Sequence, residues 1–155
     1  MQSINKFCEK DRFWEMNNGG FLYIERPVLD VIERYRQYLP SDNESGGFLV
    51  GYYKNLHLHI TGLTVPQPKD KSGRFHFHRR DLSHVEQVTK WYKESDGLIN
   101  CLGEWHTHPE SNPKPSHIDI KGWKTFIKNR TLQETIFMIA GTHGFWAGNC
   151  FGSKL

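Results

Sequence analysis

The sequence predicts a mixed α/β fold in which a curled sheet lies between flanking helices. Three observations carry that expectation. Apolar residues recur at helical spacing in three separate segments, short runs of strand-forming residues alternate with them, and two such runs are adjacent as in a hairpin. With 155 residues the chain can bury about two-thirds of its unfolded surface, which suits a single domain over residues 1–155.

In chain order, residues 21–25 (FLYIE) form a strand that Pro27 ends. Pro27 fits the first turn of a helix, and Val28, Val31, Ile32, Tyr35 and Leu39 continue it to Pro40. Residues 46–53 (GGFLVGYY) read as a buried strand that turns at 54–55 into a second strand, 56–65. Residues 66–73 (PQPKDKSG) are turn-rich and expected as an exposed loop, and RFHFH after them alternates as a strand does. A second helix runs from Asp81 to Glu94, with Leu82, Val85, Val88, Trp91 and Tyr92 facing inward, and ends at the SDG of 95–97. Residues 98–108 form a strand, and Ser116 to Asn129 a third helix with Ile120, Trp123, Phe126 and Ile127 inward. TIFMIAG and GFWAGNCF close the fold as two strands around a His-Gly turn.

Composition narrows the function classes. A hydrophobic fraction of 37% with 14% aromatics is that of a folded chain. Net charge is only +3, without a run of one sign, so nothing in it supports nucleic-acid binding. Cys8, Cys101 and Cys150 are odd in number, far apart and without a CxxC pair, which fits free thiols in a reducing, cytoplasmic setting. The N-terminal stretch is charged throughout and lacks a signal-peptide core, and no window approaches the roughly 20 apolar residues of a membrane span.

The chemistry concentrates in residues 103–119, GEWHTHPESNPKPSHID. On an extended segment residues i and i+2 face the same way, so His106 and His108 present two imidazoles side by side, as adjacent metal-coordination positions require. A stiff, proline-containing loop follows. Ser116 then has the character of a helix N-cap and Asp119 stands at the third helical position. S-x-x-D is a capping arrangement in its own right. The same aspartate, facing the histidines, completes a His₂Asp set and leaves a fourth tetrahedral position for water, the arrangement of catalytic zinc. Such a site needs a carboxylate to move protons. Glu44, Glu104, Glu110 and Asp119 itself are all candidates, and spacing does not choose among them. HExxH, P-C-x-x-C and G-x-S-x-G are all missing from the sequence. The pairs His57/His59 and His76/His78 repeat the i, i+2 spacing without a carboxylate at a following helix start, so they are read as strand histidines. The strand RFHFHRR is also suited to pairing with an extended peptide.

ESGGFLVG followed by HTHPESNPKPSHID resembles the JAB/MPN (JAMM) metallopeptidase motif, a glutamate, then H-x-H-P, then S-x-x-D. The resemblance extends over about residues 21 to 150. It implies a cytidine-deaminase-like fold, zinc held by His106, His108 and Asp119, Glu44 as general acid/base, and Ser116 stabilising the tetrahedral intermediate. Glu44 is thereby preferred to Glu104.

Members of that family commonly cut just after the C-terminal glycine of ubiquitin or a ubiquitin-like protein. Ubiquitin-chain enzymes among them carry two inserted segments, of which PQPKDKSGRFHFHRRD resembles the first, while nothing after Asp119 corresponds to the second. The phrase GEWHTHPE with the later P-x-P-S-x-x-D is similar to bacterial stand-alone JAB peptidases, some encoded beside E1- and E2-like proteins in CBASS antiphage systems. The resemblance then implies removal of conjugates from a cGAS/DncV-like nucleotidyltransferase. It also allows two other roles, processing of a sulfur-carrier ubiquitin-like protein or a non-catalytic interaction module.

Overall fold

The computed structural model describes residues 2–3, 13–130 and 132–153. Ten strands and three helices follow in the order β1 (Gln2–Ser3), β2 (Phe13–Glu15), β3 (Phe21–Ile24), α1 (Arg26–Glu33), β4 (Gly46–Lys54), β5 (His57–Leu63), β6 (Lys71–Gly73), β7 (His76–His78), α2 (Ser83–Glu94), β8 (Asn100–Thr107), α3 (His117–Ile127), β9 (Glu134–Ala140) and β10 (Phe145–Phe151). Eight strands make one mixed sheet in the order β1-β10-β9-β8-β4-β5-β3-β2. Its neighbours are antiparallel except β3 with β5 and β8 with β9. Register shifts in β4, at Leu49/Val50 against β8 and Val50/Gly51 against β5, strengthen the local twist and curl the sheet. The α/β class and the curled sheet expected from the sequence are both present.

All seven residues of β9 are buried, because helices cover both faces of the sheet. The two-residue strand period sends Ile136 and Met138 into the core shared with α1, and Phe137 and Ile139 into the one shared with α3. In that second core Trp123 stacks on Phe137 and Trp146, with ring centroids 4.4 and 5.6 Å away. The inward set expected for the third helix is therefore observed.

Five elements depart from expectation. The strands β1 and β2 were not anticipated in a charged N-terminal stretch. The first helix stops at Glu33, well before Pro40, because side-chain bonds to distant backbone take over. Arg36, buried, donates to the carbonyls of Gly141 and Gly144, and Gln37 donates to those of Asp42 and Arg74. Leu39, expected inward, is exposed.

The segment read as a loop supplies β6, which pairs with β7 in a separate two-stranded sheet. Its organiser is Asp70, whose carboxylate accepts from the backbone N–H groups of Gln67, Arg80 and Asp81 and from His84 Nε2 at 2.7 Å. Burial pushes the Asp70 carboxyl up, but these donors outweigh it and hold it below the usual carboxylate range. His84 is fully buried, and its Nδ1 lies 2.6 Å from the Thr64 hydroxyl. Leaving a buried polar group without its hydrogen-bond partner costs about 1–3 kcal/mol, so this anchor sets the rotation of α2. The helix packs through His84 and the half-buried Val88 and Trp91, whereas Leu82, Val85 and Tyr92, expected inward, are exposed. Cys101 and Cys150 are free thiols, while Cys8 lies outside the described residues. No described helix is long and apolar enough to cross a membrane.

Candidate metal centre

The site forms where the start of β4 meets the end of β8. Their antiparallel register pairs Gly46 with His106 and Gly47 with Trp105, which brings the residues just before β4 beside those just after β8. Both glycines permit close approach. A Cβ at Gly47 would lie 2.1 Å from the Thr64 carbonyl oxygen, and one at Gly46 would lie 2.6 Å from that of Trp105.

His106 stands one residue before the end of β8, with its ring turned to that of His108, centroids 4.8 Å apart. The His108 N–H donates to the Ala140 carbonyl at 2.9 Å, so the segment is held against β9 after the strand pairing ends. Asp119 comes from the first turn of α3. Its N–H donates to Ser116 Oγ at 3.1 Å, and its Oδ2 accepts from the Ser116 N–H at 2.6 Å, a complete capping box. The same carboxylate reaches the imidazoles, with Oδ1 3.2 Å from His106 Nε2 and Oδ2 3.2 Å from His108 Nε2. Capping and ligand geometry hold at once.

The two Nε2 atoms are 3.0 Å apart, and the three potential ligand atoms all lie within 4.8 Å of one another. Tetrahedral zinc, with bonds of about 2.0–2.1 Å, separates its ligand atoms by roughly 3.3 Å, so these three groups fit one such ion. Electrostatics agrees. Burial alone would raise the Asp119 carboxyl, but the contacts with His106 and His108 hold it well below the usual carboxylate range. Burial lowers His108, but Asp119 and then Glu44 outweigh it and raise its affinity for a proton. The cluster thus favours a positive charge at its centre. His108 Nδ1 lies 3.3 Å from Glu110, which can orient the ring from behind.

Glu44 is 5% exposed, with Oε1 3.7 Å from His108 Nε2. Burial pushes its carboxyl up to about 8, opposed by His108 and reinforced by Asp119 and Glu110. A carboxyl whose proton balance lies near neutrality suits proton transfer in both directions. Glu104 is engaged elsewhere, in an ion pair with Arg79. Glu110 is mostly exposed, its side chain 59% accessible.

Four positioning residues were missed by sequence reasoning. Thr107 accepts from the Ser45 N–H at 2.9 Å while its own N–H donates to the Ser45 carbonyl, tying the Glu44 loop to β8. The Thr107 hydroxyl in turn donates to Gln37. The Glu44 N–H donates to Gly73 of β6 at 2.8 Å, so the small hairpin also braces that loop. Nothing local in the sequence signals these bonds, because each joins segments distant in the chain.

Of the other histidines, His57 accepts from the Phe21 N–H and His59 contacts Glu25, as strand histidines do. Trp105 is a core residue whose Nε1 donates to the Thr64 carbonyl, whereas Trp123 forms site wall 6.0 Å from His106.

A curled mixed sheet thus brings two histidines near a strand end, a first-turn aspartate and a buried glutamate together, the arrangement that the JAB/MPN resemblance implies. The chain belongs to the family described as prokaryotic homologs of the JAB domain, whose model matches residues 30–147. Its similar relatives include a protein of Escherichia coli (strain TW11681) named CD-NTase/cGAS isopeptidase, 38% identical over 78% of this chain and 76% of that protein. A Pseudomonas aeruginosa (strain BWHPSA011 / Pa011) protein of the same name is 34% identical over 84% of this chain and 83% of its own length. Among solved structures, protein DSY2949 from Desulfitobacterium hafniense shares the fold, with a TM-score of 0.52 at 18% identity over 76% of this chain and 73% of that one.

Proposed function

We propose that the chain is a zinc-dependent isopeptidase of the bacterial cytoplasm. It cleaves after the C-terminal residue of a ubiquitin-like tail and removes E1/E2-type conjugates from a target protein, the cGAS/DncV-like nucleotidyltransferase of a CBASS antiphage system. The observation that carries the reading is the convergence of His106, His108 and Asp119 with the buried Glu44 beside them. The shared name of the relatives, CD-NTase/cGAS isopeptidase, supports the substrate class.

His106, His108 and Asp119 would hold the ion. When bound, zinc supplies Lewis-acid chemistry, polarising a carbonyl and making a water acidic enough to ionise near neutral pH. Glu44 takes a proton from the attacking water as its oxygen bonds to the scissile carbon. It then returns that proton to the leaving nitrogen as the C–N bond breaks, the role of a general base turned general acid. Ser116 Oγ accepts from the Asp119 N–H, which leaves the hydroxyl proton free to donate to the developing oxyanion.

The test is a ubiquitin-like domain joined through its C-terminal glycine to the target tail. Cutting is expected directly after that glycine, located by product mass. A bulky residue there holds the carbonyl away from the site, and a displacement near 1 Å costs about 10²-fold in rate. Cutting indifferent to that residue would remove the ubiquitin-like part of the reading.

A further inference from the structure

A groove of about 670 Å³ leads to the candidate metal centre, walled on one side by β7 and the residues after it and on the other by α3. Its three carboxylates all have partners. Glu44 and Asp119 belong to the site, and Glu104 is paired with Arg79. The Arg79 guanidinium is occupied as well, stacked 3.7 Å from the centre of the Phe48 ring. Two further cations line the groove, Arg80 on the hairpin side and Lys121 on α3. Both are exposed, and neither takes part in an ion pair among the described residues.

Both cations stand on anchored backbone. The Arg80 N–H donates to Asp70 Oδ1 at 2.8 Å, and Asp70 is fastened to the buried His84. Lys121 lies two residues beyond Asp119, on the helix whose first turn the capping box secures. The same groove is lined by Phe77, Trp123 and Phe126, and such apolar surface strengthens the field of nearby charges. Formal charges in the lining balance, with Arg79, Arg80 and Lys121 against Glu44, Glu104 and Asp119, but among the described residues only Arg80 and Lys121 of these six lack an ion-pair partner.

We infer that Arg80 and Lys121 are specificity-determining residues that select a substrate with an acidic side chain in the peptide segment flanking the scissile bond. The inference rests on the isopeptidase reading and narrows its substrate class. An extended peptide entering this groove finds no free carboxylate to pair with a lysine or arginine, and two free cations to pair with an aspartate or glutamate. A basic flank is therefore disfavoured for the same reason that an acidic one is favoured.

The experiment compares two fusion substrates that differ only in having glutamates or lysines beside the cut. The wild-type protein is expected to favour the acidic one by about tenfold in kcat/KM, as two partly exposed charge pairs supply, mostly through KM and less at high salt. In the double variant Arg80→Glu/Lys121→Glu the ratio should invert. As a readout independent of turnover, Glu44→Gln protein should bind a labelled acidic peptide more tightly than its lysine counterpart. Equal kcat/KM for both substrates, or a ratio unmoved by the double reversal, would overturn the inference while leaving the isopeptidase reading intact. Binding of single-stranded DNA that the double variant loses, without any acid preference among peptides, would overturn it in favour of a nucleic-acid groove. Failure to cut any fusion would remove the parent reading, and this inference with it.

Discussion

Glu44→Gln is expected to lower the rate of tail cleavage by about 10²–10⁴-fold while one zinc per chain remains bound. The amide keeps the shape of the side chain and the backbone bond from the Glu44 N–H to Gly73, so the loop before β4 stays in place. What it loses is a carboxylate able to take a proton from water and pass it on. Glu44 is buried, 3.7 Å from His108, and burial pushes its carboxyl to about 8. A glutamate so placed exchanges protons near neutrality, whereas glutamine does so at no pH. Glu104→Gln serves as the control, because Glu104 is committed to Arg79. Steady-state rates with metal content by elemental analysis decide the matter. An active Glu44→Gln beside an inactive Glu104→Gln would refute the assignment.

Asp119→Ala is expected to abolish both zinc retention and activity. On the proposed reading this residue would contribute one of three ligand atoms, and two histidines alone would leave a tetrahedral ion half-coordinated. The substitution also removes half of the α3 capping box, at a cost of about 1 kcal/mol in stability. Ser116→Ala separates the two losses. It forfeits the bond from the Asp119 N–H, with a similar loss of stability, but keeps the carboxylate. It should retain zinc and lose activity only in part. If Asp119→Ala retained a full equivalent of zinc, or if Ser116→Ala lost zinc to the same degree, the ligand role of Asp119 would be wrong.

What could be read from the sequence was whatever depends on short-range periodicity. The i, i+2 spacing of His106 and His108 becomes two rings on one side of a strand end, and S-x-x-D becomes a helix start that presents Asp119 to them. The strands around Leu49 and Ile136 follow from short continuous apolar runs, which suit strands buried on both faces. What was illegible depends on partners far away in the chain. Glu104 shares the strand of His106, so spacing could not choose between it and Glu44; the family resemblance prefers Glu44, and the physical reason, the pairing of Glu104 with Arg79, shows only in the fold. Helix α2 shows its apolar period plainly, yet its rotation is set by His84 between Asp70 and Thr64, which turns Leu82 and Val85 to solvent. The short β6, Lys-Ser-Gly, has no strand propensity of its own, and it forms because Asp70 and β7 hold it. Thr107 is a strand threonine like any other until Ser45 and Gln37 meet it.

The central claim is that a single metal ion held by His106, His108 and Asp119 is required for cutting. It is tested by stripping the protein with a chelator and titrating zinc back against cleavage of the glycine-ended fusion. Activity should vanish on stripping and return in proportion to added zinc, with a break at one equivalent per chain and no recovery in Asp119→Ala. Full-rate cutting by the stripped protein in excess chelator would contradict the account.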